Sequence, residues 1–286
     1  MPGDQPEKLA KALGREADGI ICDLEDAVAP SAKRSARATV AQFIRAQANA
    51  PGRPALFVRV NVGGAGIDDL RAIIPVCGRQ LAAIYVPKVS SMEELAVVDA
   101  VLTTLEAECG MASGSLVVAA LLETALGILS APMIARAPRV SLLAIGEADL
   151  SAELGIELSS GTEQEMLSAR SMLVLASAAA GIEAPEGPVS TDFRDLDAVR
   201  ASSEALRRMG FRGRPCIHPA QVPVVNEVFT PTLGQLTEAE RLVASYDRAV
   251  AAGEGVIVDD NGKMIDEAVV RSARRIVAQR QVILGI

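Results

Sequence analysis

Read from its N-terminus, the chain alternates short apolar runs of strand length with longer segments whose apolar positions recur at helical spacing. This is the pattern of βα units laid around a parallel sheet. Seven runs stand out: DGIICDL from Asp18, ALFVRVN from Ala55, AAIYVPKV from Ala82, SLVVAALLET from Ser115, SLLAIGEADL from Ser141, a weaker AAAGIEAP from Ala178, and RPCIHP from Arg214. Residues 7–15, 33–47 and 91–108 read as helices. Pro30 and Ser31 mark a start for the second, and Ser90 or Ser91 followed by Glu93 and Glu94 resembles a capping box for the third. The predicted fold class is α/β, a (β/α)8 TIM barrel, which needs an eighth strand. The chain opens on a Pro-Gly-Asp loop leading straight into a helix, so the first strand is expected to be missing or truncated, with the natural gene beginning upstream.

After a helix at 221–229 the pattern changes. A helix at 238–252 is followed by GVIVDD, an Asn261-Gly262 turn, KMID and a helix from Glu267. The expected organisation is a barrel domain at 1–230 and a C-terminal arm at 231–286, built as helix, short hairpin and helix. A hairpin this short needs a surface to pack on.

Composition narrows the function classes. Half of the residues are hydrophobic, tryptophan is absent, and 36 acidic against 28 basic residues give a net charge of -8. Such a chain lacks the basic footprint that a nucleic-acid or anionic-membrane partner requires. The longest apolar stretch, 116–135, is interrupted by Glu123 and Pro132, so it reads as strand plus helix and not as a membrane span. MPGDQPEKLAKAL has no apolar signal segment. Cys22, Cys77, Cys109 and Cys216 are scattered, which suggests reduced thiols and a cytoplasmic protein. One histidine, His218, cannot build a multi-histidine centre, so any metal site is carboxylate-based.

Asp23, Glu25, Asp26, Arg59, Lys88, Glu123 and Asp149 all fall at or just past the C-terminal ends of apolar runs, the active face of a barrel. Unpaired charge in such a setting is costly, so these residues are expected to be held by one another, a metal or a ligand. A lone carboxylate at a strand end commonly caps a helix or pairs with arginine. Jointly, Glu123 and Asp149 suit an octahedral Mg2+, or Mn2+, that keeps positions open for substrate oxygens. Arg59 then either clamps an anionic substrate group or forms a buried ion pair with Asp23, Glu25 and Asp26; both roles are compatible.

Taken in order, these residues resemble the HpcH/HpaI aldolase and citrate lyase β-subunit family, in its stand-alone CitE-like branch. The resemblance rests on PGDQPEKLAKAL, DGIICDLEDAVAPSAKRSAR, LFVRVN, IYVPKVSS, LLETALGI, IGEADLSAELG, CIHPAQVPVVNEVFTP and GKMID. It implies a barrel with a C-terminal extension, assembled as a homotrimer or hexamer. It implies Mg2+-dependent cleavage or formation of a C–C bond in a CoA thioester such as malyl-, citramalyl- or citryl-CoA. Position by position, Glu123 and Asp149 match the metal ligands, with Glu123 also facing the substrate, and Arg59 matches the clamp on the substrate carboxylate. Asp266 of K-M-I-D matches a catalytic acid/base donated from the arm of a neighbouring subunit. Glu25 and Asp26 match acidic residues that support metal waters and the arginine, with Lys88 beside them.

The chain departs from the family pattern at several points. Gln5 stands where P-G-x-R-P has arginine, which bears on the CoA contact, and G-A-E-D reads Gly146, Glu147, Ala148, Asp149. A-I-D-G reads Ala184, Pro185, Glu186, Gly187. His218 belongs to a strand-end motif for which a structural role competes with a catalytic one. Asp266 directly precedes a helix and so also fits a cap. Two rivals remain. One is a CoA-free, metal-dependent 2-oxo-acid aldolase, against which the K-M-I-D arm argues; the other is a citrate lyase β chain working on a carrier-bound substrate within a complex.

Overall fold

The computed structural model describes residues 1–48, 50, 52–159, 163–259 and 262–284. The chain divides into two compact units, Met1–Asn226 and Glu227–Ile286.

In the first unit, five strands form one parallel sheet in chain order: β1 (Gly19–Asp23), β2 (Ala55–Arg59), β3 (Leu81–Val86), β4 (Val118–Leu122) and β5 (Val140–Ile145). Helices α2 (Lys33–Ala46), α3 (Gly63–Cys77), α4 (Met92–Glu108) and α5 (Ala125–Ile134) make the crossovers, after a short α1 (Pro6–Ala12). Helices α6 (Glu147–Leu154), α7 (Leu167–Ala180) and α8 (Leu196–Met209) follow β5, and α9 (Gln221–Phe229) runs across the division at Asn226. Ser91 caps α4 by accepting from the Glu94 N–H, while the Glu94 carboxylate accepts from the Ser90 N–H. The first bond satisfies an orphan donor of the helix, and the second ties the residue ahead of the cap to the first turn, so the full capping box is not formed. No described helix is long and apolar enough to cross a membrane.

Single bridges extend the sheet on both sides. Pro2 pairs in parallel with Asp23, Ala144 with Glu186, and Glu186 with Gly213. The Asp23 N–H donates to Met1 O and the Gly3 N–H to Asp23 O, so residues 1–3 stand where a strand preceding β1 would lie. The row thus runs residues 1–3, β1 to β5, Glu186, Gly213. Two expected strands are corrected. The run from Ala178 begins inside α7, which ends where Gly181 takes φ +72, a left-handed position suited to glycine. The run from Arg214 is not a strand; the paired residue is Gly213. Pro185, Pro188 and Pro215 withhold ladder donors around these positions, leaving bridges in place of strands.

The two faces of the sheet are buried unequally. Cys22, Leu56, Val58, Ile84 and Leu122 on one face are fully buried. On the other, Tyr85, Ala119 and Ala144 form a core with Ile21, Phe57, Leu121 and Leu142, the Phe57 and Tyr85 rings meeting edge to face at 5.7 Å. The Tyr85 hydroxyl donates to Glu186 Oε2 at 2.8 Å. Cys22, on β1, and Cys77, at the end of α3, are both buried free thiols.

In the second unit, α10 (Leu233–Ala251) leads through a two-stranded antiparallel hairpin, β6 (Ile257–Val258) and β7 (Met264–Ile265), to α11 (Glu267–Leu284). Tyr246, Ile265 and Val270 pack with Leu242, Val243, Ile257 and Val269. Helix α10 begins five residues before the expected Glu238 because Thr232 and Gln235 form a capping box there. Asn261 of the expected turn lies outside the described residues.

Candidate active site

The sheet delivers its charged residues to one rim. Asp23 ends β1 and Arg59 ends β2, paired in register. Asp23 folds the following loop onto itself by accepting from the Glu25 N–H at 2.9 Å and the Ala27 N–H at 3.1 Å. Lys33 then ties the loop down through Leu24 O and Glu25 O at 2.7 and 2.6 Å. Arg59 donates to Asp23 from Nε at 2.7 Å and from Nη2 at 2.6 Å. Its Nη1 lies 3.0 Å from Glu25 Oε2. That approach is within ion-pair range but off the hydrogen-bonding direction, so this buried oxygen keeps an unfilled acceptor.

Glu123 follows β4 directly and is 4% exposed. Its Oε1 accepts from the Lys88 N–H at 3.0 Å, and the carboxyl of Asp149, in the first turn of α6, is its neighbour. The two meet because Gly146 lies against Glu123: a Cβ there would stand 2.5 Å from Glu123 Oε2 and 2.6 Å from its Cβ. On the other side of the same turn, Glu147 is held by the buried Arg170 at 2.6 and 2.7 Å, and Arg170 also reaches Glu163. The turn carrying Asp149 is thus fixed from both sides. Lys88 Nζ is 3.8 Å from both Glu25 Oε1 and Asp149 Oδ2.

The electrostatics follow from this crowding. Burial opposes ionisation of Asp23, but the bonds from Arg59, Glu25 and Ala27 outweigh it and hold the carboxyl below its usual range. Burial and the nearby Asp26 raise Glu25 against the pull of Arg59. Glu123 is pushed up to about 8 by burial, then by the neighbouring carboxyl of Asp149 and the charge of Glu25. The Lys88 ammonium is raised, since Asp149, Asp26, Glu25 and Glu123 outweigh its partial burial.

No three His, Cys, Asp or Glu side chains are gathered around one point among the described residues. The donor set nevertheless fits Mg2+. Two hard-oxygen carboxyls are neighbours, and Glu25, whose Oε2 is left without a hydrogen-bond donor, presents its Oε1 to the same ammonium as Asp149. An octahedral ion of this kind takes one or two carboxylates and fills its remaining positions with water or substrate oxygens.

Of the expected site residues, Arg59, Glu25, Lys88, Glu123 and Asp149 are brought into one cluster. Asp26 adjoins it, as its charge acts on Glu25, Arg59 and Lys88. Asp266 lies in the second unit, where its Oδ1 accepts from the Val269 N–H at 3.1 Å and caps α11. His218 is exposed. Its ring stacks on Phe193 at 4.7 Å and its Nδ1 accepts from the Ala220 N–H. Sequence reasoning did not single out Gly146, Arg170 or the Tyr85–Glu186 pair. Arg170 leaves a signal, a lone charge in the otherwise uncharged helix LSARSMLVLASAAA.

Residues 1–219 match the family model described as HpcH/HpaI aldolase/citrate lyase. An L-malyl-CoA/beta-methylmalyl-CoA lyase from Cereibacter sphaeroides is 33% identical over 305 residues, covering 99% of this chain and 93% of that protein. A (3S)-malyl-CoA thioesterase from the same species is 35% identical over 288 residues with the same coverage. Among solved structures, CitE from Mycobacterium tuberculosis in complex with magnesium, acetoacetate and coenzyme A superposes with a TM-score of 0.74 at 29% identity, over 98% of this chain and 96% of that one. A citrate lyase beta subunit from M. tuberculosis with oxaloacetate and magnesium gives a TM-score of 0.65 at 30% identity, over 81% and 95%.

Proposed function

The chain belongs to the HpcH/HpaI aldolase/citrate lyase family and is a carbon–carbon lyase, and on that premise we propose its substrate, metal and catalytic residues. The substrate is a 3-hydroxyacyl-CoA thioester such as malyl-, citramalyl- or citryl-CoA, which is cleaved to, or formed from, a 2-oxo acid and an acyl-CoA. The observation that carries this reading is the contact of Glu123 with Asp149, two carboxyls held together at the rim beside Arg59 and Lys88. Relatives named for malyl-CoA cleavage, and solved relatives holding magnesium with coenzyme A and acetoacetate or with oxaloacetate, support it.

Glu123 and Asp149 would hold the Mg2+, or Mn2+ in its place, which when bound supplies Lewis-acid stabilisation of the oxygen charge that builds as the C–C bond breaks. Arg59 has five N–H groups, and those left over from Asp23 and Glu25 bind the carboxylate of the 2-oxo-acid half. Glu25 and Asp26 keep Arg59 aimed, and Lys88 keeps positive charge at the rim. As the C–C bond breaks the substrate's 3-hydroxyl gives up its proton to become the carbonyl of the 2-oxo acid and the enolate carbon of the departing acyl-CoA gains one; Asp266 of the partner subunit delivers the latter, and the arm at 231–286 excludes water as it closes. This scheme needs a homotrimer or homohexamer of closed (β/α)8 barrels spanning 1–230, in a cytoplasmic setting where CoA thioesters form.

The test is an assay of the purified protein against malyl-, citramalyl- and citryl-CoA, with and without Mg2+. A 2-oxo acid and a shortened acyl-CoA should appear, and a chelator should abolish them. Release of free CoA with the hydroxy acid intact would instead favour hydrolysis, the reaction for which the thioesterase relative is named.

A further inference from the structure

At the rim, carboxylates outnumber the cations that face them. Arg59 faces two of them, through its fork to Asp23 and the ion-pair approach of its Nη1 to Glu25. Lys88 is the other cation of the cluster, and its attachment is of a different kind. Its Nζ sits 3.8 Å from Glu25 Oε1 and 3.8 Å from Asp149 Oδ2, within reach of charge attraction but beyond hydrogen-bond length, and its side chain is 36% exposed on a flexible stem. The main chain, by contrast, is fixed. Lys88 takes φ +54, a left-handed conformation unusual for a residue with a Cβ, and its N–H is held by Glu123 Oε1 at 3.0 Å. The strained backbone grips one candidate metal ligand, and the loosely held ammonium balances the other.

Building on the assignment of Glu123 and Asp149 as ligands of a divalent cation, we propose that Lys88 is an exchangeable counter-ion. Its ammonium neutralises the carboxylates of the metal-free rim and gives way when the cation binds, so Lys88 sets the metal affinity of the free protein. Two positive charges that draw on the same carboxylates repel each other, so each raises the other's cost of residence. The metal then binds more weakly than the buried Glu123 and the exposed Asp149 alone would bind it. Any anionic ligand that draws the ammonium outward removes this competition and tightens the metal, a coupling that holds in both directions.

The test is calorimetric titration of Mn2+ into metal-free wild type, Lys88→Asn, Lys88→Gly and Lys88→Arg, with no substrate and no turnover in the readout. Asparagine and glycine both suit a left-handed backbone, so these two variants keep or gain fold stability, which thermal melts verify. Both should bind Mn2+ about five- to tenfold more tightly than wild type at low salt, with the gap narrowing as ionic strength rises. Lys88→Arg, which keeps the charge, should stay near wild type. Binding by the variants alone would support the proposal in its strongest form. Equal or weaker binding in the Asn and Gly variants, with wild type still binding, would overturn the counter-ion role and leave the metal assignment standing. No binding by any of the proteins would remove the metal assignment and the counter-ion with it.

Discussion

Arg59 grips Asp23 through two parallel bonds, Nε to Oδ1 and Nη2 to Oδ2, between residues that stand in register at the ends of adjacent strands. The fork is therefore aimed by the sheet and not by the substrate. Lysine cannot reproduce it. Arg59→Lys is expected to lose about 2 kcal/mol or more of transition-state stabilisation, a fall in kcat/KM of roughly thirtyfold or greater, with the fold retained. Steady-state kinetics alongside a thermal melt checks this, and near-normal turnover would reduce Arg59 to an ion-pair partner of Asp23.

Gly146 offers a sharper probe of the carboxyl pair, because a single methyl group placed there collides with Glu123. Gly146→Ala should push the Glu123 carboxyl away from Asp149 and weaken Mn2+ binding by about tenfold or more, the scale on which groups orienting a metal ligand act. Calorimetry reads the loss directly. Unchanged affinity would mean that the pair does not hold the ion.

Glu186 should make stability depend on pH. Enclosure among the sheet's inward-facing side chains raises its carboxyl to about 7, against the partial relief given by the Tyr85 hydroxyl. A raised carboxyl means that the folded state binds the proton more tightly than the unfolded chain does. Its contribution is complete below the unfolded value, near 4.3, and is lost as pH climbs through about 7. Glu186→Gln should remove this slope and gain on the order of 1–2 kcal/mol at pH 8, since the residue as a whole is only half-buried and solvent screens part of the effect. Denaturant titrations of both proteins between pH 5 and pH 8 decide it; parallel stability curves would count against the assignment.

The five paired strands were legible because sheets covered on both sides demand unbroken apolar runs, and each run ended in the charge that now lies at the rim. The sixth and seventh were not, for local reasons. Ala178–Ala180 are as apolar in the last turn of a helix as in a strand, and the prolines around Glu186 and Gly213 reduce pairing to single bridges. Glu123 and Asp149 were conspicuous as charges that follow apolar segments. Arg59's choice among Asp23, Glu25 and Asp26 was open until strand register placed Asp23 opposite it. The Tyr85–Glu186 bond spans 101 positions in the chain, a separation at which no local pattern carries a signal.

Asp266 is suited to a test that separates chemistry from capping. Asparagine caps a helix about as well as aspartate, so Asp266→Asn should leave α11 and the melting behaviour intact while turnover falls by about a hundredfold or more. A mixture of Asp266→Asn with Glu123→Gln, each inactive alone, should recover part of the activity once subunits exchange. Full activity in Asp266→Asn, or no recovery after exchange is demonstrated by mass spectrometry of tagged subunits, would confine Asp266 to its cap.

The two interior thiols turn the first unit into its own reporter. Burial raises both Cys22 and Cys77 to about 12, so neither offers a thiolate to an alkylating reagent while β1 and α3 are in place. Their modification must wait for the sheet to open, and its rate, followed by mass, clocks that opening. Anything that binds only the closed form slows the clock. A panel of acyl-CoA thioesters, 2-oxo acids and divalent ions can thus be ranked by protection of two buried sulfurs, with no turnover required.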